Sequence, residues 1–143
     1  MASMKFLGIP YPVTRHPRGF FRSTFGINQI KADLLQLLLT NPGERVMMPT
    51  YGTPLKRLIF DPNDSSLEDT AREMIINSIT QWEPRITVQQ IEVSRNADQK
   101  SLDPSDPKED VDNILMIKIL FFDPENIQEV EELKLELPIN GGK

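Results

Sequence analysis

Apolar positions recur at helical spacing over INQIKADLLQLLL, where Ile27, Ile30, Leu34, Leu37 and Leu38 form one stripe. Asn41-Pro42-Gly43 follows and predicts the helix end. A second stripe runs through Leu67, Ala71, Met74, Ile75, Ser78, Ile79 and Trp82, with Ser65 and Glu68 at the spacing of a capping box. Pro84 disfavours a helical backbone at Glu83, so this helix should stop beside Trp82 and the chain should leave it extended. Between the two helices, Arg45 to Met48 reads as a short apolar strand. Pro49, Gly52 and Pro54 then break the chain into a shaped loop leading to Leu55, Leu58, Ile59 and Phe60.

Three later segments change the period from helical to alternating. From Ile86 to Ser94 the apolar positions are Ile86 and Val88, then Ile91 and Val93, so the buried parity changes across Gln89-Gln90 and predicts a β-bulge there. Asn113 to Phe122 is apolar on both faces apart from Lys118, the pattern of a central strand covered on both sides. From Glu129 to Leu137, Leu133, Leu135 and Leu137 alternate with Glu132, Lys134 and Glu136, which predicts an edge strand with one wet face. The expected fold is therefore α+β: a small antiparallel or mixed sheet of three to four strands packed against two main helices. Residues 27–143 read as a single domain and residues 97–111 as a polar, mobile hairpin loop.

Residues 1–26 do not fit either period. Pro10, Pro12 and Pro17 exclude a helix, while Tyr11, Phe20, Phe21 and Phe25 interleave with Arg15, Arg18 and Arg22. Such a segment reads as an extended arm lying along the domain or along another subunit. With Lys5 it carries +4 and no acid, so the net charge of -5 leaves -9 on the remainder. The overall balance argues against nonspecific nucleic-acid binding. Zero cysteines exclude disulfides and thiol chemistry, and no apolar run has the length of a membrane span, so the expectation is a chain neither membrane-bound nor exported by a signal peptide.

Candidate chemistry is sparse. His16 is the only histidine, and no phosphate-cradling glycine loop is present. Asp103, Asp106, Glu109, Asp110 and Asp112 lack the glycine and spacing of an EF-hand, so no metal and no cofactor are expected. A two-carboxylate glycosidase would use Glu83 beside Trp82 as its acid, but neighbouring Arg85 favours the ionised carboxylate, and no motif marks a second acid. Glu83-Pro84-Arg85 has two other readings. It is either a helix stop with two surface charges, or a rigid placement of an acceptor and a forked donor suited to gripping a partner.

TNPGERVMMPTYGTPLKRLIF and the downstream Glu-Pro-Arg resemble the signature of the small baseplate wedge family of contractile phage tails, shared with type VI secretion baseplates. The matching positions are Pro42, Gly43, Glu44, Arg45, Pro49, Tyr51, Gly52, Thr53 and Leu55, then Glu83, Pro84 and Arg85, within a resemblance covering residues 27 to about 137. Tyr51 stands where the family more often has Phe. The resemblance implies a virion protein, assembled in the host cytoplasm and present in several copies around a six-fold baseplate, though monomeric alone. Its implied partners are other wedge proteins, whose helical core bundle faces Glu-Pro-Arg, and the tail sheath protein, with tube or hub proteins as further neighbours. Trp82, Glu83, Pro84 and Arg85 are thus the expected docking residues. The resemblance further implies that the sheet initiates the sheath by accepting its strands. The bulge at Gln89-Gln90 makes Glu132, Leu133, Lys134, Leu135 and Glu136 the better acceptor. A lysozyme-like label also attaches to the family, which makes a peptidoglycan hydrolase the alternative.

Overall fold

The structure is a computed structural model that describes residues 6–60, 66–95, 113–124 and 126–139. Helix α1 spans Ile27–Leu39, a 3-10 helix spans Pro54–Phe60, and helix α2 spans Ser66–Trp82. Strands β1 (Thr87–Arg95), β2 (Asn113–Phe122) and β3 (Val130–Ile139) follow. They form a three-stranded antiparallel sheet in the order β1-β2-β3, so the fold is α+β as the alternating periods indicate. The expected capping serine, Ser65, and the expected loop over 97–111 lie outside the described residues.

One layer of core joins these elements. Ile30, Leu34, Leu37 and Leu38 of α1 pack with Leu67, Ala71, Ile75 and Ile79 of α2, and both stripes close on one face of the sheet. That face presents Ile91 and Val93, then Leu115, Ile117, Ile119 and Phe121, then Leu133. Leu55 and Leu58 of the 3-10 helix fill the core between the helices and the sheet. The bulge occurs where the parity change places it: Val88 pairs with Phe121 and Gln90 with Leu120, leaving Gln89 over.

Two expectations are corrected. Arg45 to Met48 is not a strand. Met48 N–H donates to the Arg45 carbonyl at 3.3 Å, Tyr51 N–H to Met48 at 3.1 Å and Gly43 N–H to Pro49 at 2.7 Å, so the segment closes on itself. Val46 and Met47 are left 92% and 91% exposed at its tip. Strand β2 is central but not covered on both sides: Ile114, Met116, Lys118 and Leu120 form a partly exposed outer row. Lys118 reaches from this row to Glu92 on β1 (3.6 Å) and Glu132 on β3 (3.7 Å), and long side chains of this kind can cover apolar surface with their stems. Part of the arm lies against the body, where Phe6 packs on the core. Gly8 and Thr24 exchange two backbone hydrogen bonds of 2.9 Å, folding the arm back on itself, and Phe20 at its far end is 89% exposed.

Candidate functional site

The site forms where α2 turns into β1. Glu83 N–H still donates to the Ile79 carbonyl at 2.8 Å, continuing the helical pattern, and Pro84 then redirects the chain. This leaves Glu83 only 5% exposed at the junction, while Pro84 and Arg85 remain exposed. A buried carboxylate needs compensation, and Arg85 supplies it with a forked contact. Its Nε donates to Glu83 Oε1, and Nη2 donates to Glu83 Oε2 at 2.5 Å. Nη2 also donates to Asp33 Oδ2 on α1 at 2.7 Å. The hydrogen bond to Glu83 is the main influence holding the guanidinium protonated; partial burial opposes it and Asp33 reinforces it.

The network continues beyond the motif. Gln29, one turn before Asp33 and 4% exposed, donates from Nε2 to Asp33 Oδ1 at 2.8 Å and to the Ile9 carbonyl at 3.2 Å. Thr24 Oγ1 donates to Gln29 Oε1 at 2.6 Å, and the Arg85 guanidinium lies 5.1 Å from the Phe6 ring centre. Asp33, Gln29, Thr24 and Phe6 were not singled out by motif. The available signal was weak: Gln29 and Asp33 are four apart on α1, but Asn28, Lys31 and Gln36 are polar on the same helix.

The two halves of the sequence signature meet through an aromatic contact. Tyr51 packs edge-on against Trp82, centroids 5.2 Å apart at 64°, and the Arg45 guanidinium sits 3.8 Å from the Tyr51 ring. Burial raises the Tyr51 hydroxyl pKa despite the opposing charge of Arg45. Glu44 accepts from Asn41 N–H and Asn41 Nδ2, both at 3.0 Å, and pairs with Lys56 at 3.1 Å. The Asn41 N–H, followed by Lys56, holds the Glu44 carboxyl below its ordinary range.

Gly52 has φ +119°, and a Cβ there would lie 2.3 Å from the Thr40 carbonyl oxygen. The close approach lets Thr53 N–H donate to that oxygen at 2.9 Å, while Ser78 Oγ donates to the Gly52 carbonyl at 3.3 Å. Thr53 and Leu55 are buried behind this crossing, whereas Pro42 and Pro49 flank it at the surface. The signature loop thus locks the end of α1 to the C-terminal part of α2.

The β3 positions stand apart from this centre. Leu133 is buried and Leu135 partly buried on the helix side, while Glu132, Lys134 and Glu136 occupy the opposite face. Lys134 lies 3.1 Å from Glu132, and it is the main cause, ahead of Lys118, of a lowered Glu132 carboxyl pKa.

Among the described residues no cluster of three or more His, Cys, Asp or Glu could hold a metal, and no helix is long and apolar enough to cross a membrane. A groove of about 810 Å³ between α2 and β1 is lined by Arg72, Ile76, Glu83 and Glu92 among others. As a hydrolytic centre it lacks a free acid at Glu83, because both carboxylate oxygens accept hydrogen bonds from Arg85.

A family model described as baseplate wedge protein gp25 matches residues 26–119. The baseplate wedge protein gp25 of Enterobacteria phage T4 is 26% identical over 114 residues, which cover 80% of this chain and 76% of that protein. Among solved structures, a putative tail lysozyme from Geobacter sulfurreducens superposes with a TM-score of 0.62 at 20% identity, covering 80% of this chain and 91% of that one. A chain of the anti-feeding prophage baseplate superposes with a TM-score of 0.61 at 19% identity, covering 94% of this chain and 86% of that one. At these identities the two structures establish a shared fold.

Proposed function

This chain belongs to the baseplate wedge protein gp25 family, and from that premise we propose that it docks within the wedge through the α2–β1 junction and starts the sheath by strand addition. It is a structural component of the baseplate of contractile tails, and its partners include other baseplate proteins. The docking reading is carried by one observation: the Arg85 guanidinium is fixed by two carboxylates from different helical neighbourhoods, yet its side chain keeps 32% exposure. A charged fork held in one orientation before contact loses little side-chain freedom when a partner's acceptor arrives. Trp82, Glu83 and Pro84 build the rigid base of that fork.

The proposed role is non-enzymatic. The lysozyme name belongs to a structural neighbour at 20% identity, and here the candidate acid and the next carboxylate, Asp33, are both engaged by one arginine. Arg85→Lys tests the docking reading, because it keeps the positive charge but removes the fork. The variant is expected to fold and to be poorly incorporated when wedges are reconstituted and separated by sedimentation; normal incorporation would count against docking here. Clearing of purified cell walls by the wild type, abolished by Glu83→Gln, would overturn the non-enzymatic reading.

A further inference from the structure

We propose that strand addition to this sheet is one-sided: β3 is the open edge between Val130 and Glu136, and Arg72 closes the β1 edge. The inference rests on the reading that the sheet accepts an extended chain, and it assigns the edge, the backbone groups and the chemistry of the incoming segment.

The direction of the backbone groups follows from three independent observations. Arg72 Nε donates to the Ile91 carbonyl at 3.1 Å, so the polar groups of Ile91 face away from β2. Ile91 pairs with Ile119, and Ile119 with Leu133, so alternation along the ladders turns the Ile119 groups towards β3 and makes Ile119–Leu133 a hydrogen-bonded pair. At the end of the β2–β3 hairpin, Asp123 N–H donates to the Glu129 carbonyl at 3.1 Å, which extends the same parity to residue 129. Pro138 is the third: the proline has no N–H to lose at an outward position of an edge strand, and its parity is outward. The backbone groups of Leu133, Leu135 and Leu137 therefore serve the internal ladder. By the same alternation those of Glu132, Lys134 and Glu136 point outward, away from β2.

The two edges differ chemically. On β1 the bulge at Gln89 interrupts the edge and a guanidinium already occupies Ile91, with Asp69 holding that arginine at 2.8 Å. On β3 the register is uninterrupted. The flanking side chains specify the guest. Leu133, Leu135 and Leu137 line the helix side, so alternate guest residues on that side are apolar. On the outer side Glu132 is engaged by Lys118 and Lys134, whereas Glu136 is exposed with no ion pair among the described residues, so the guest residue beside it is basic.

Amide hydrogen exchange tests the parity in the chain alone: Glu132, Lys134 and Glu136 should exchange fast and Leu133 and Leu135 slowly. Slow exchange at Lys134 overturns the assignment. A synthetic peptide of alternating valine and lysine, about seven residues long to span the edge, should slow exchange at Glu132, Lys134 and Glu136 roughly tenfold or more. Ile91 and Val93 should be unaffected by the peptide in the wild type and protected in Arg72→Ala. Protection on β1 in the wild type, or on neither edge with millimolar peptide, overturns the proposal. Absence of β1 protection in Arg72→Ala overturns the part given to Arg72. Lys134→Pro should fold and lose peptide protection, whereas Leu135→Pro should lose cooperative unfolding; the opposite pattern overturns the parity, and if both unfold the wild-type exchange rates decide. Should β3 bind the peptide while Lys134→Pro tails carry normal sheaths by electron microscopy, sheath initiation fails and the edge assignment stands.

Discussion

Arg85 is one donor serving two carboxylates, and its removal would leave the Glu83 carboxylate buried with no other side-chain partner among the described residues. Arg85→Ala should therefore lower stability by about 1–3 kcal/mol, read from denaturant midpoints. The double variant Glu83→Ala/Arg85→Ala should recover part of that loss; strict additivity would show that the pair is uncoupled. Gly52→Val should cost more than about 2 kcal/mol, since strain at positive φ alone approaches that and the added side chain also meets the Thr40 carbonyl. An unchanged melting temperature would refute it. Glu44 gives a pH prediction. Its carboxyl pKa is depressed in the folded chain, so its stabilisation is present above the unfolded carboxylate pKa and is lost as pH falls through the folded value. Glu44→Gln should thus melt below wild type at neutral pH, with the gap closing on acidification. Gly52 was legible from its place between Pro49 and Pro54; its contact with Thr40 was not, because no local pattern records which carbonyl crosses a loop.

Both helical stripes, the three strands and the position of the bulge could be read from periodicity, because each buries one face against a common core. Arg45 to Met48 shows where that reading fails. Four residues can look like a strand by composition, but a strand exists only where a ladder partner lies alongside, and here the local N–H groups turn back within the loop. The outer row of β2 misled for a related reason: Ile114, Met116 and Leu120 are apolar, yet they stay partly exposed beside Lys118 with no second layer over them among the described residues. The tip of the signature loop yields a prediction. Val46→Ser and Met47→Ser should change stability by no more than about 0.5 kcal/mol, since both side chains point into solvent. A larger loss in thermal melts would show that the tip packs on the body.

At the scale of the whole chain, sequence motifs identified the Glu-Pro-Arg junction but not its dependence on α1 and the arm. Asp33 lies 52 residues before Arg85, and nothing in either neighbourhood announces the other. That separation also gives an expectation for the order of folding. Each strand pairs with its neighbour in sequence, and β2 and β3 are joined by the short segment 123–129, so this hairpin needs little loop closure. The Arg85–Asp33 contact, between residues 52 apart, is expected to form after that hairpin. Arg85→Ala should accordingly speed unfolding and leave the refolding rate nearly unchanged, as stopped-flow fluorescence of Trp82 can show; slowed refolding would place the contact in the folding nucleus. A partner that recognises the guanidinium in its doubly held orientation would then select completed chains over partly folded ones. Quality control at the moment of assembly would come from the order in which the chain folds.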